Sequence, residues 1–284
     1  KPVSPPGPME VSSLDGKVLR KIGWYALVFI AVVPFLFPLV WIISSSFKTQ
    51  AQIVASPPVL FFRPILDNYR RVFVEQDFAR FLLNSSIIAV GSTGLALLLG
   101  LPAAYSISRY GQRTMGIFIL VARLLPGISY LIPWFILFSR LRLVDTYISL
   151  IAAHMLVGLP LVVWIMINYF DNLPRELEES ARVDGCTIQR AFLSVYLPIS
   201  GPGILTATTL SFLFSWNNFM FALVLSAQRT KPLPIAIYNF VSYAEVNWGS
   251  VMAAAVVIIA PAIIMTMLFQ RYMIKGLTAG ATKG

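Results

Sequence analysis

The stretch Glu178-Glu179-Ser180-Ala181-Arg182-Val183-Asp184-Gly185, with Val195-Tyr196-Leu197-Pro198 following at a fixed distance, lies between two long apolar segments. In a chain of 284 residues that is 57% hydrophobic and 12% charged, such a concentration of ionisable groups reads as a docking surface for a soluble partner. Its local signals describe a helical hairpin. Pro174 fits the first turn of a short helix, where its missing amide hydrogen costs nothing. Glu176, Glu178 and Glu179 near that end complement the helix dipole, and Glu178 and Arg182 stand at i,i+4 in the favourable order. Leu177, Ala181 and Gly185 fall on one stripe, predicting a small, flat face turned outward between charged flanks. Gly185 fits the left-handed C′ position that ends such a helix. Thr187 is then the N-cap of a second helix whose Ile188, Ala191, Phe192 and Val195 follow helical spacing, with Leu197-Pro198 closing it.

Working outward, apolar runs long enough for a bilayer core occur at 22–43, 84–107, 115–138, 147–170, 200–226 and 249–270. Period-two alternation is absent, so a lipid-facing barrel is excluded. Proline and glycine recur inside these runs, including Pro102, Pro126, Gly127 and Pro160, as in helices whose neighbours satisfy freed backbone groups. The first run follows Lys17, Arg20 and Lys21 but is too long for a signal-peptide core and no small-residue cleavage site follows, so it reads as a retained span. The chain therefore divides into an N-terminal tail (1–21), whose residues 1–16 read as mobile, a six-helix membrane domain (22–270, with the hairpin loop at 171–198) and a C-terminal tail (271–284). Leu66 to Phe73 reads as a short amphipathic helix that either lids the bundle or meets a partner, and Tyr238, Phe240 and Trp248 read as an interfacial belt.

The net charge of +10 lies in loops flanking the spans, not in one patch with interleaved aromatics, which argues against nucleic acid. One cysteine, Cys186, and one histidine, His154, make neither a disulfide nor a multi-histidine metal site, and both read as packing residues. The nearest approach to a nucleotide loop, Asp15-Gly16-Lys17-Val18, lacks the preceding glycine and the following Ser/Thr. No HExxH and no Gly-x-Ser-x-Gly is present, so no catalytic residue, metal or cofactor is expected in this chain. Lys and Arg number 12 in the tails and the second and fourth loops against nine in the others, which leans toward cytoplasmic termini.

The hairpin resembles the loop of the membrane permeases of binding-protein-dependent ATP-binding-cassette importers: Glu-Ala-Ala, three residues, Gly, nine residues, Ile, one residue, Leu-Pro. Here the same spacing holds as Glu179-Ser180-Ala181, Gly185, Val195 and Leu197-Pro198, with Ser180 for alanine and Val195 for isoleucine. Ser46-Phe47-Lys48-Thr49, Asn68-Tyr69, Leu83-Asn84-Ser85, Asp145-Thr146-Tyr147, Trp216-Asn217-Asn218-Phe219 and the tail from Lys275 are similar to the carbohydrate-importing branch, in particular to subunits like the second maltose permease. The resemblance implies an all-α membrane protein, the type I importer permease fold of six transmembrane helices with a cytoplasmic coupling hairpin. It implies a homologous second permease, two ATPase subunits that bind ATP and Mg, an extracytoplasmic sugar-binding protein, a carbohydrate substrate and a bacterial or archaeal inner membrane. It places Glu178, Glu179, Ser180, Ala181, Arg182, Asp184, Gly185, Leu197 and Pro198 in ATPase coupling.

Within the spans, Arg123 either gates or pairs with the partner permease, or snorkels to the surface. Asn217 and Asn218, about 18 residues into the fifth span and so roughly 27 Å along it, either line the exit for a hydroxyl-rich solute or hydrogen-bond a neighbouring helix. His154, Asn168, Thr206, Thr208 and Thr209 are expected to hold helices together. A secondary transporter would need coupling-ion carboxylates at mid-membrane, and every Asp and Glu lies outside the six runs. A purely structural membrane protein would not need the spacing from Gly185 to Leu197-Pro198.

Overall fold

The computed structural model describes residues 11–124, 126–240 and 246–278, with side chains between residues 20 and 271. Its described residues form ten principal helices: α1 (Val11–Ser46), α2 (Phe78–Arg109), α3 (Arg113–Leu124), α4 (Ile128–Arg140), α5 (Tyr147–Asp171), α6 (Glu176–Val183), α7 (Ile188–Ile199), α8 (Gly201–Trp216), α9 (Met220–Leu225) and α10 (Trp248–Thr278). Four of them, α1, α2, α5 and α10, are long and apolar enough to cross a membrane, and the number rises to six if each of two bent pairs is one span. The chain is a multi-pass helical membrane protein.

Two of the expected spans are not continuous rods. Residues 115–138 divide into α3 and α4, which meet at 91°. Pro126 and Gly127 occupy the break, and proline removes a helix donor and disfavours helical backbone before it. Residues 200–226 divide into α8, which ends at Trp216, and the short α9, while α7 and α8 meet at 78° across Ser200. Residues 11–16 belong to α1 and residues 271–278 to α10, while residues 1–10 and 279–284 lie outside the described chain.

α2 and α5 form the central pair of the bundle. Small residues on α2 (Ala89, Ala96, Gly100, Ala104) let the backbones approach. A Cβ at Gly100 would stand 2.8 Å from a Val162 methyl, so that crossing requires glycine. By contrast, the most apolar stretch of α1 buries nothing among the described residues, and α1 packs chiefly along α10, which is how a lipid-facing or partner-facing helix reads. The short segment Asp67–Arg70, continued by a π-turn to Glu75, buries Asn68 and Val72 against the bundle. Phe240 likewise packs on Phe78 with ring centroids 5.7 Å apart, so it is core where an interfacial belt residue was expected, whereas Tyr238 and Trp248 are exposed.

Helix directions sort the ends of the bundle. Gln50, just past α1, hydrogen-bonds Trp248 N at the start of α10, so the end of α1 and the start of α10 share one face. α2 and α5 both finish beside the hairpin, at Arg109 and Asp171. The hairpin, the start of α1 and the end of α10 therefore lie on the opposite face.

Candidate functional site

The hairpin forms as its local chemistry dictates. In α6, Gly185 adopts φ +85°, Cys186 N donates to Ala181 O at 2.9 Å and Gly185 N to Arg182 O at 3.0 Å, the paired bonds of a Schellman cap. Thr187 Oγ1 accepts from Arg190 N and so caps α7. α7 does not stop at Leu197-Pro198 but runs to Ile199. Before Pro198 it widens into a π-turn over Phe192–Tyr196, with Leu197 N bonded to Phe192 O. The wider turn accommodates a proline ring that would clash with the carbonyl four residues back in a regular helix. Pro174 lies just outside α6, whose N-cap is Arg175.

The side chains depart from the expected pattern in one decisive place. Glu178 does not pair with Arg182 along the helix surface. Its carboxylate is wholly buried and meets α2, with Arg109 Nε at 2.8 Å from Oε1 and 2.7 Å from Oε2, and the Tyr105 hydroxyl donating to Oε2 at 2.8 Å. Tyr105 sits in a box of rings with Phe170, Phe192 and Tyr196 at centroid distances of 5.9, 4.8 and 5.1 Å. Burial, and then the Glu178 charge, push the Tyr196 hydroxyl pKa above its ordinary value, so it stays a neutral donor. Ala181 is also turned inward while Leu177 is half-buried and Gly185 exposed, so the predicted stripe does not form one outward face. Of the residues expected at a partner surface, Glu179, Ser180, Arg182, Asp184, Gly185 and Pro198 are exposed, Leu197 is half-buried, and Glu178 and Ala181 are withdrawn from it. Val183, which residue type alone does not single out, stands 88% exposed among these charges.

A second feature lies within the bundle. A cavity of about 1060 Å³ opens at the break between α3 and α4, and it brings Arg123, Asn217 and Asn218 together with Tyr130, Trp134 and Phe214. Its size is at the upper end of small-molecule sites, roughly 300–1,000 Å³. Arg123 is exposed into this space, among the described residues without a carboxylate partner. Asn217 and Asn218 follow a helix of 16 residues, so they stand where the chain turns and α9 continues beyond them, not at the outer end of a long span. Their side chains bond within their own segment, Asn217 Nδ2 to Leu213 O and Asn218 Oδ1 from Phe221 N. Tyr130 and Trp134 were not legible as site residues, because in an apolar run an aromatic reads as packing until the break at Pro126-Gly127 is seen. His154 bonds Ser215 Oγ at 2.8 Å and so ties α5 to α8 as expected, whereas Thr206, Thr208 and Thr209 each bond the carbonyl four residues back within α8 itself.

On the face away from the hairpin, Asp145-Thr146-Tyr147 and Asn84-Ser85 close one knot. Tyr147 donates to Asn84 Oδ1 at 2.6 Å, and Asn84 Nδ2 donates to the carbonyls of Arg229 and Lys231. Asp145 accepts from Ala227 N, Arg229 N, Thr230 N and Thr230 Oγ1. Burial raises the Asp145 pKa, but these four bonds outweigh it and hold the carboxyl below its ordinary value. A depressed folded-state pKa contributes stability above the unfolded carboxylate pKa that is lost as pH falls through the folded value. Asp145→Asn is expected to cost about 1–3 kcal/mol at neutral pH and to flatten the acid limb of a thermal-unfolding profile. The backbone is not the cause, since φ +60° at this position suits asparagine.

A family profile described as binding-protein-dependent transport system inner membrane component matches residues 96–279. The trehalose/maltose transport system permease protein MalG of Thermococcus litoralis is 38% identical, over 88% of this chain and 92% of its own length. The trehalose transport system permease protein SugB of Mycobacterium tuberculosis is 35% identical, over 93% and 99%. The sulfoquinovosyl glycerol transport system permease protein SmoH of Agrobacterium fabrum is 33% identical, over 96% of each chain. The fold is similar to that of a chain in a bacterial transporter involved in import of the acidic polysaccharide alginate, with a TM-score of 0.75, 24% identity and coverage of 94% of this chain and 99% of that one.

Proposed function

The chain belongs to the family of binding-protein-dependent transport system inner membrane components, and from that premise we propose that it forms half of the translocation pathway of an ATP-driven importer of glycosides. It is a transport subunit, not an enzyme. The observation that carries the reading is the hairpin: an exposed face of Glu179, Arg182, Val183 and Asp184, backed by a buried ion pair from Glu178 to Arg109 on a membrane-crossing helix. A displacement of that face by a soluble motor reaches α2 through a charge-assisted bond, not through a flexible loop. The motor is a pair of cytoplasmic ATPase subunits holding ATP and Mg. A homologous second permease completes the bundle, and an extracytoplasmic sugar-binding protein delivers the solute.

On this reading the hairpin face, with the start of α1 and the end of α10, is the cytoplasmic one in a bacterial or archaeal cell whose inner membrane holds the transporter. The excess of Lys and Arg in the tails and the second and fourth loops supports this orientation. The glycoside class is supported by the names of three relatives, which carry trehalose, maltose and sulfoquinovosyl glycerol. It is supported also by the cavity chemistry, since Tyr130 and Trp134 offer apolar ring faces while Asn217 and Arg123 offer polar groups for hydroxyls. The test is ATP hydrolysis by the chain reconstituted with its second permease, ATPase pair and binding protein. Stimulation by the binding protein loaded with one member of a glycoside panel is expected and names the substrate. A stable complex that no glycoside-loaded binding protein stimulates would overturn the glycoside reading.

A further inference from the structure

On the hairpin side, the ends of three helices converge on a second cavity, of about 330 Å³. α2 ends there at Arg109, α3 begins at Arg113, α5 ends at Asp171, and Arg175 opens the hairpin. Three arginines, Arg109, Arg113 and Arg175, line it with one acidic residue, Asp171. Arg109 is committed to Glu178, and Asp171 Oδ1 accepts from Ser108 Oγ at 2.5 Å. Among the described residues neither Arg113 nor Arg175 makes an ion pair, and both are exposed residues of the cavity lining. Cations at the ends of membrane helices ordinarily splay outward as a solvated belt. Here they close on one concave, polar space at the depth where the apolar runs end, which is the depth of lipid headgroups. Planar guanidinium forks match phosphate oxygens bidentately, and basic pockets between membrane helices on the cytoplasmic side take anionic headgroups.

We propose that this cavity binds a phosphate-ester anion, the headgroup of an anionic phospholipid from the surrounding leaflet, with Arg113 and Arg175 as its principal contacts. Arg109 lines the same space, so an occupant shares the guanidinium on which Glu178 hangs and bears on how the hairpin is seated. Native mass spectrometry of the full chain with its co-purified partner subunits tests this without recourse to transport. In phosphatidylcholine nanodiscs containing phosphatidylglycerol, the wild type is expected to keep tightly held phosphatidylglycerol on extraction. The double variant Arg113→Gln with Arg175→Gln is expected to lose it, and Arg113→Lys with Arg175→Lys, which keeps the charge, is expected to retain it. In a second arm, phosphatidylcholine discs are titrated with inorganic phosphate. Binding there that the Gln pair abolishes, with no difference in lipid retention, would assign the site to a soluble phosphate instead of a lipid. Equal lipid retention by the wild type and the Gln pair, with no phosphate binding, overturns the proposal.

Discussion

Arg109→Met is expected to destabilise the chain by about 3–5 kcal/mol, because it leaves the Glu178 carboxylate buried without its countercharge. Glu178→Met strands the guanidinium instead, at a smaller cost, since the Arg109 side chain retains 19% exposure and can draw on water. Thermal unfolding in nanodiscs reads both. The informative variant replaces the whole polar cluster, Arg109→Met with Glu178→Met and Tyr105→Phe, so that no donor or acceptor is left unpaired. Apolar replacement of a complete buried pair is often neutral or stabilising, so this triple variant is expected to regain the lost stability. Its coupling is expected to stay broken, because apolar side chains pack α6 on α2 without fixing its direction of movement. The readout is solute imported per ATP hydrolysed, which falls several-fold while hydrolysis itself survives. If the apolar triple variant restores import per ATP along with stability, the ion pair is packing and not transmission.

What could be read from the residues and what could not divide along the range of the interaction. The hairpin was legible because its signals are local: Gly185 supplies a left-handed turn, Thr187 supplies a cap, and both act on atoms three to five residues away. The spans were legible because a bilayer fixes their length. The orientation of Glu178 was not, since its partner lies 69 residues earlier on another helix. Helical spacing permits a surface pair with Arg182 and says nothing of a buried alternative. The same holds for Ala181, which a stripe argument places on a face without saying which way that face turns. The cavity residues were half legible. Arg123, Asn217 and Asn218 stood out as polar groups in apolar runs, while Tyr130 and Trp134 depend on the break around Pro126-Gly127, whose 91° turn no hydropathy profile contains.

Glu179→Lys is expected to do the reverse of Arg109→Met, although its residue adjoins Glu178. The Glu179 side chain is exposed, so its loss touches no buried partner. Reversing its charge in the first turn of α6 opposes the helix dipole, an effect of about 0.3–1 kcal/mol, small against the roughly 3–5 kcal/mol of an orphaned buried charge. Unfolding temperature and membrane insertion should therefore stay close to wild type. If Glu179 meets a basic ATPase residue, the same change sets like charges against each other across a contact, which costs several kcal/mol. At about 1.4 kcal/mol per factor of ten, that weakens assembly with the ATPase pair at least tenfold. Co-purification of the ATPase subunits and ATP-driven uptake should fall together, and an acidic replacement of the opposing ATPase residue should restore both. Wild-type assembly and uptake in the Lys variant would remove Glu179 from the coupling surface and leave Arg182, the exposed Val183 and Asp184 as its remaining anchors. Because the two carboxylates are adjacent in one helix, a defect from general damage to the hairpin would appear in both variants; only separate roles send the stability loss to Arg109→Met and the assembly loss to Glu179→Lys.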